Sequence, residues 1–292
     1  DIGADCIIFD DTISPSQQRN LEHLSDLCVI DRQEVILEIF SEHARTKEAL
    51  LQVGLARMEY SLPRLTRAWT HLSRQRGGTR GTRGEGETQL EIDRRVVLKK
   101  ITKLKRELEK LQSQRSTRRK QRTSIPVPTG ALVGYTNAGK SSLLNALTGS
   151  SAAVEDQLFA TLDPTTKKTE LPGGTKVLLT DTVGFIRKLP HNLIDAFHST
   201  LEETVVADIL IHVLDASNPE VRQHIDTTAE VLNELKVGDT PTLLVFNKTD
   251  LCTDEFWLNE LRRDFPEAVF ISIKANIGVN QIFQKNVQFS HI

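Results

Sequence analysis

The run GYTNAGKS, residues 134–141, fits the spacing G-x-x-x-x-G-K-[ST] and lies between the apolar stretch ALVG and the helical stretch SLLNALTG. A loop of this type turns its backbone N–H groups, here from Gly134, Tyr135, Thr136, Asn137, Ala138 and Gly139, onto phosphate oxygens. The helix that opens at Lys140, Ser141 and Ser142 adds its positive end. Lys140 is expected to reach the β- and γ-phosphates, and the Ser141 hydroxyl to ligate Mg²⁺. DTVG (181–184) follows the strand-like KVLLT. There Asp181 is expected to hold the metal through its water and the Gly184 amide to meet the γ-phosphate. Alone D-x-x-G is only a turn; at the end of the second strand after a phosphate loop it completes a site.

NKTD (247–250) ends the strand-like TLLVF. A buried Asp250 can accept both the N1–H and the 2-amino group of guanine, Asn247 can serve the O6/N7 edge, and Lys248 can lay its stem over the base. Adenine has no 2-amino group, and unmet hydrogen bonds discriminate strongly, so GTP and GDP are the expected nucleotides. SIK, Ser272–Ile273–Lys274, is expected to supply a backbone amide to the base.

One polar group is missing. In most GTP-hydrolysing switches a glutamine follows D-x-x-G and orients the attacking water. Here that catalytic position holds Phe185, which has no donor or acceptor. His191 and His198 lie nearby, but exposed helix histidines are a better reading of them than substitute bases.

These residues need a scaffold. ALVG, KVLLTD, ILIHVLDAS, TLLVFNKTD and AVFISI are apolar runs ending in polar residues and separated by helical stretches. That pattern predicts a doubly wound parallel sheet covered on both faces, an α/β G domain over 125–292. The proline-bearing TSIPVPTG (123–130) marks its boundary with a first domain, 1–124. That domain opens with ADCIIFDD (4–11) as a buried strand, a helix capped by Ser14 or Ser16, and a short strand at LCVID (27–31). Two strands make a poor sheet, so further strands are expected before Asp1. From Arg32 to Tyr60 the spacing predicts one helix, with Ile36, Phe40, Ala44, Leu51, Leu55, Met58 and Leu62 on a stripe. A second helix, about Glu87 to Arg119, carries the heptad seam Val97, Ile101, Leu104, Leu108 and Leu111. Joined by the glycine- and arginine-rich loop 74–89, the two are expected to form an antiparallel helical hairpin.

The formal net charge of −2 hides an asymmetry. Of 37 Lys+Arg and 39 Asp+Glu, 19 and 6 fall between Arg64 and Arg122, a net of +13 against −15 elsewhere. Such a segment suits a polyanion, and with Trp69 almost its only aromatic residue, backbone recognition of RNA fits better than base stacking. Cys6, Cys28 and Cys252 show no paired spacing, which reads as buried, inert thiols in a reducing compartment. No apolar run approaches a membrane span, and neither a membrane partner nor a secretory segment is expected.

With its four pieces in order, the G domain resembles the TRAFAC class of GTPases. The runs FATLDPTTKK (159–168), DTVGFI (181–186), GTRGEGETQLEIDRR (81–95) and IIFDDTISPSQQRNLE (7–22) together resemble the HflX family of ribosome-associated GTPases. The resemblance covers nearly the whole chain. It departs at Glu85, where the family loop usually has proline. The resemblance implies a cytoplasmic, monomeric GTPase that binds the large ribosomal subunit and its rRNA through 64–122. It implies a role in splitting or rescuing stalled ribosomes. A hydrophobic residue at 185 is typical of the family, so hydrolysis is expected to be slow alone and stimulated by the ribosome. Thr161 is the candidate switch threonine for Mg²⁺, with Thr165 and Thr166 as rivals. Asn137 resembles the asparagine that binds K⁺ in potassium-activated relatives; turn geometry is the alternative reading of it. A GTP-dependent clamp with incidental hydrolysis, and a ribosome-assembly role, are competing functions.

Overall fold

The computed structural model describes residues 3–65, 83–122, 127–150, 157–159, 161–187 and 198–285, with backbone alone at 83–89, 115–122, 198–200 and 202. The chain divides into two compact units, one running Asp1–Lys120 and one beginning at Gln121.

In the first unit, β1 (Cys6–Phe9) and β2 (Cys28–Asp31) pair in parallel, linked by α1 (Pro15–Ser25). Ser14 caps α1: its hydroxyl accepts the Gln17 N–H while the Gln17 side chain accepts the Ser14 N–H, two donors satisfied reciprocally. Contrary to the reading of a buried strand and buried thiols, β1 is half exposed and Cys6 and Cys28, register partners, are exposed, with Cys252 intermediate. A two-stranded sheet has too little on its faces to bury both.

The helix read over Arg32 to Tyr60 is two helices, α2 (Arg32–His43) and α3 (Lys47–Ser61). Ala44 leaves helical geometry with ψ 115°, and the Thr46 hydroxyl accepts the Ala49 N–H to start α3. A threonine that offers its side chain to the backbone caps a new helix more readily than it continues an old one. Buried Asp31 does the same for α2, and also accepts from the Tyr60 hydroxyl at 3.0 Å and the Arg64 guanidinium at 3.1 Å.

α4 runs Arg83–Arg122, four residues earlier than expected, so the end of the glycine-rich segment is helical rather than loop; 66–82 lies outside the described residues. Four of its five seam residues share one cluster: Ile101 and Leu108 are buried with Leu55, flanked by Leu51, Met58, Leu62, Val97 and Leu104, while Leu111 is half-buried outside it. Arg95, Lys99, Lys103, Arg106 and Lys110 stand exposed along the same helix.

The second unit is a six-stranded sheet in the order β4-β5-β3-β6-β7-β8. Its strands are β3 (Thr129–Val133), β4 (Thr165–Glu170), β5 (Lys176–Asp181), β6 (Ile209–Asp215), β7 (Thr242–Asn247) and β8 (Val269–Phe270). The sheet is mixed, not parallel throughout: β4 is an antiparallel edge strand on β5. TTKKTE has no apolar residue, which suits an edge with little to bury and leaves no hydrophobic period to read. Its turn is sharper in the sequence, with Gly173 and Gly174 both at positive φ. Both faces are covered: α5 (Lys140–Thr148) and α9 (Val279–Lys285) bury Leu143, Leu147 and Ile282 on one. On the other, α7 (Val221–Glu234) and α8 (Glu255–Asp264) bury Val221 and Leu261 against Leu214 and Phe246. α6 spans His198–Val205.

Candidate functional site

The carboxyl ends of β3, β5 and β7 open onto one cleft of about 390 Å³, lined among others by Lys140, Ser141, Thr161, Gly184, Asn247 and Asp250. This is where open α/β sheets place ligands. Gly134 and Gly139 have φ of 137° and 99°, and a Cβ on either would collide, with the Val213 carbonyl and the Asn247 amide respectively. Asn137, at φ 59°, takes the left-handed conformation that asparagine tolerates, which accounts for its type by turn geometry. Gly139 caps α5 with no side-chain hydrogen bond, so the helix turns bare N–H groups into the cleft.

Lys140 is buried, its ammonium donating to the carbonyls of Gly134 at 3.1 Å and Tyr135 at 2.8 Å. Burial pulls its pKa down to about 8 while Asp181 pulls the other way. A cation held at such cost needs a strong anion to justify it. Beside it the Ser141 hydroxyl donates to Asp181 Oδ2 at 2.6 Å, the Thr161 hydroxyl does so at 2.8 Å, and the two hydroxyls are 2.7 Å apart. Burial raises the Asp181 pKa, and its buried Oδ1 has no hydrogen-bond partner among the described residues. Two hydroxyls and an under-satisfied carboxylate form a hard-oxygen set that fits Mg²⁺, which takes few protein ligands and completes its shell with phosphate and water. The rival threonines are strand residues: Thr165 is exposed in β4, and Thr166 meets the Thr180 hydroxyl at 2.9 Å.

On the base side, the Asn247 amide is a brace. It donates to the Ala138 carbonyl at 3.0 Å and accepts the Ile273 N–H at 3.3 Å, which leaves one amide hydrogen for a ligand. Asp250 is exposed rather than buried, and its Oδ1 accepts the Ser272 hydroxyl at 2.6 Å. Ser272, itself buried, also accepts the Ala275 N–H, so SIK forms a built loop despite Ile273. Lys248, at φ 63°, is held by Asp215 at 2.8 Å. Sequence reading missed that partner, although Asp215 ends its strand as the motif residues end theirs. It named Thr136 for its backbone amide but missed its hydroxyl, which accepts the N–H of buried Phe159 and ties the phosphate loop to the Thr161 segment.

A Cβ on Gly184 would press on Thr136 Cα and the Lys140 ammonium, so only glycine lets this backbone approach the phosphate side. The Phe185 side chain is fully buried, while its N–H and carbonyl pair with Gly134 and Thr136 at 3.0 and 2.8 Å. It packs inward and leaves the cleft. Phe185→Gln therefore should not rescue hydrolysis; burying an amide there should instead cost about 3 kcal/mol in urea unfolding. Faster turnover in that variant would show that the side chain can swing out. His191 and the side chain of His198 lie outside the described residues.

His212 sits under the loop, its ring near where a Cβ on Gly134 would stand. Burial first, then Lys140 and His224, holds its pKa down to about 3 against an ordinary 6.5. Between those values the unfolded chain binds a proton that the fold refuses, so stability falls as pH drops below 6.5. The loss approaches ~1.4 kcal/mol per pH unit from this one group. Chemical unfolding at pH 7 and pH 5 should show about 2 kcal/mol more loss in the natural chain than in His212→Leu. Equal losses would mean that the imidazole is protonated in the fold.

Residues 1–41, 43–122 and 129–248 match families described as GTP-binding GTPase N-terminal, GTP-binding GTPase Middle Region and 50S ribosome-binding GTPase. Three curated relatives are each called GTPase HflX. That of Akkermansia muciniphila is 58% identical over 87% of this chain and 60% of its own length. That of Spirochaeta thermophila is 49% identical over 95% and 67%, and that of Treponema denticola 51% over 97% and 74%. The chain thus spans about three fifths of the first relative's length. Among solved structures, a GTP-binding protein of Sulfolobus solfataricus in complex with GDP is 27% identical, with a TM-score of 0.55 over 100% of this chain and 82% of that one.

Proposed function

Because the chain belongs to the GTPase HflX family, we propose that it is a slow GTP hydrolase that works on the large ribosomal subunit and uses its nucleotide cycle to split or rescue stalled ribosomes. The observation that carries the nucleotide part is one cleft lined by Lys140, Ser141, Thr161, Asn247 and Asp250, with Asp181 hydrogen-bonded to Ser141 and Thr161 and Ser272 to Asp250. Lys140 and the loop amides hold the phosphates in line, and Gly184 offers its N–H to the γ-phosphate. Asp250 selects guanine. Ser141, Thr161 and Asp181 are the residues to hold Mg²⁺, which when bound neutralises charge on the phosphate oxygens. With Phe185 turned inward, position 185 offers no side chain to orient water, and supplying such a group in trans is worth ~10³–10⁵ in rate.

The ribosomal part is supported by the basic exposed face of α4 and by the family described as 50S ribosome-binding. On this reading residues 1–124 dock on rRNA phosphates and 125–292 bind nucleotide. The protein acts as a monomer in the cytoplasm; among the described residues no helix is long and apolar enough to cross a membrane. The buried Phe185 also favours a second reading, a GTP-dependent clamp in which turnover is incidental.

The deciding experiment is GTP turnover with and without purified large subunits, in K⁺ and in Na⁺. Strong acceleration supports the trans-completed hydrolase, and a K⁺ requirement would assign Asn137 an ion. Tight GTP-dependent binding without acceleration leaves the clamp. No binding removes the ribosome from the account.

A further inference from the structure

Beyond Gly184 the second phosphate-side segment stays latched to the phosphate loop. After the two Phe185 backbone bonds, the Arg187 N–H donates to the Tyr135 hydroxyl at 3.1 Å. The Tyr135 ring lies flat on the His224 imidazole, centroids 3.7 Å apart and planes 10° from parallel. His224 belongs to the first turns of α7 and is 7% exposed. Phosphate cradling uses only the backbone at position 135, so neither the ring nor its hydroxyl is needed for that task. A stacked ring is, however, a means of fixing where a phenol oxygen stands, because it restrains both side-chain torsions.

We propose that Tyr135, braced by His224, is a positioning residue that clamps the second switch segment at Arg187 and sets where that segment departs from the phosphate loop. Its consequence for turnover rests on the GTPase reading; the clamp itself does not. Phe185 turns its side chain inward, so at the position after Gly184 it is the placement of the backbone that bears on the reacting phosphate. Loosening the clamp therefore acts on kcat and spares nucleotide affinity, which resides in Lys140, Asn247 and Asp250.

The test uses the full chain with three variants. Tyr135→Phe keeps the stacked ring and removes the hydroxyl, His224→Ala removes the brace, and His224→Phe restores a ring in its place. Arg187 amide exchange is followed by NMR without nucleotide, beside GDP affinity and GTP turnover with large subunits. Losing one hydrogen bond should speed Arg187 exchange about fivefold in Tyr135→Phe and in His224→Ala. Turnover should fall by a similar factor and GDP affinity should stay within about twofold, as expected when only a transition-state contact is disturbed. His224→Phe should return both exchange and kcat towards the natural values. Unchanged Arg187 exchange in Tyr135→Phe overturns the clamp, and so does a His224→Phe variant that behaves like His224→Ala. If the natural chain shows no GTP turnover, the GTPase reading falls while the exchange comparison still decides the clamp.

Discussion

Replacing Asp250 with asparagine should weaken GTP binding about a thousandfold. On the proposed reading the carboxylate meets two donors of guanine, N1–H and the 2-amino group, and hydrogen bonds to a charged acceptor are worth ~1.5–3 kcal/mol each. Asparagine keeps one acceptor and sets an N–H against the second donor, so the loss approaches ~4 kcal/mol, or three decades. The Ser272 hydroxyl, 2.6 Å from Oδ1, fixes the carboxylate's orientation. Asp250 is exposed when no base covers it, so the fold should tolerate the change and unfolding should barely move. Xanthine carries a carbonyl where guanine carries the amino group, and the asparagine N–H can serve it. Competition against a fluorescent nucleotide should therefore show the variant preferring XTP to GTP. GTP affinity within tenfold of the natural chain would sink Asp250 as the guanine reader.

The parts of this site that could be read from the sequence are those whose chemistry is local. GYTNAGKS, DTVG and NKTD each end an apolar run, so strand, turn and ligand residue are contiguous. The contacts that join them are not contiguous. Asn247 reaches Ala138 across 109 residues, and Tyr135 meets His224 across a similar gap, with no spacing rule to announce either. The same limit explains the fold-level misses. β4 gets its strand identity from pairing with β5, not from its own polar residues. The α2–α3 break turns on one hydroxyl, Thr46, within an unbroken apolar stripe. Exposure of Cys6 and Cys28 depends on how many strands flank them, and residue type carries no trace of that. The α4 seam, by contrast, was legible because its packing period is written along one helix and matched by one neighbour, α3.

Lys140→Met should abolish most hydrolysis, by about 10³ in kcat/KM, without making the nucleotide-free protein less stable. The two effects separate because, on the proposed reading, the ammonium serves the ligand while its burial burdens the fold. Burial that pulls its pKa to about 8 represents roughly 3 kcal/mol of unfavourable desolvation. Its two bonds to the Gly134 and Tyr135 carbonyls return about 1 kcal/mol each. A methionine of similar length fills the space, removes the desolvation cost and forfeits those bonds, for a balance near zero or slightly favourable. Asp181 loses its nearest opposing charge, and its carboxyl, already raised by burial, takes a proton in place of an unpaired charge. With GTP bound the accounting reverses: the phosphate charge then has no buried counter-charge, at the point where positioning and electrostatics supply nearly all the rate. Urea unfolding without nucleotide, set beside single-turnover hydrolysis, checks both halves. A variant that loses several kcal/mol of stability would mean that Lys140 holds the loop together. One that hydrolyses GTP within tenfold of the natural rate would mean that the phosphates are held elsewhere.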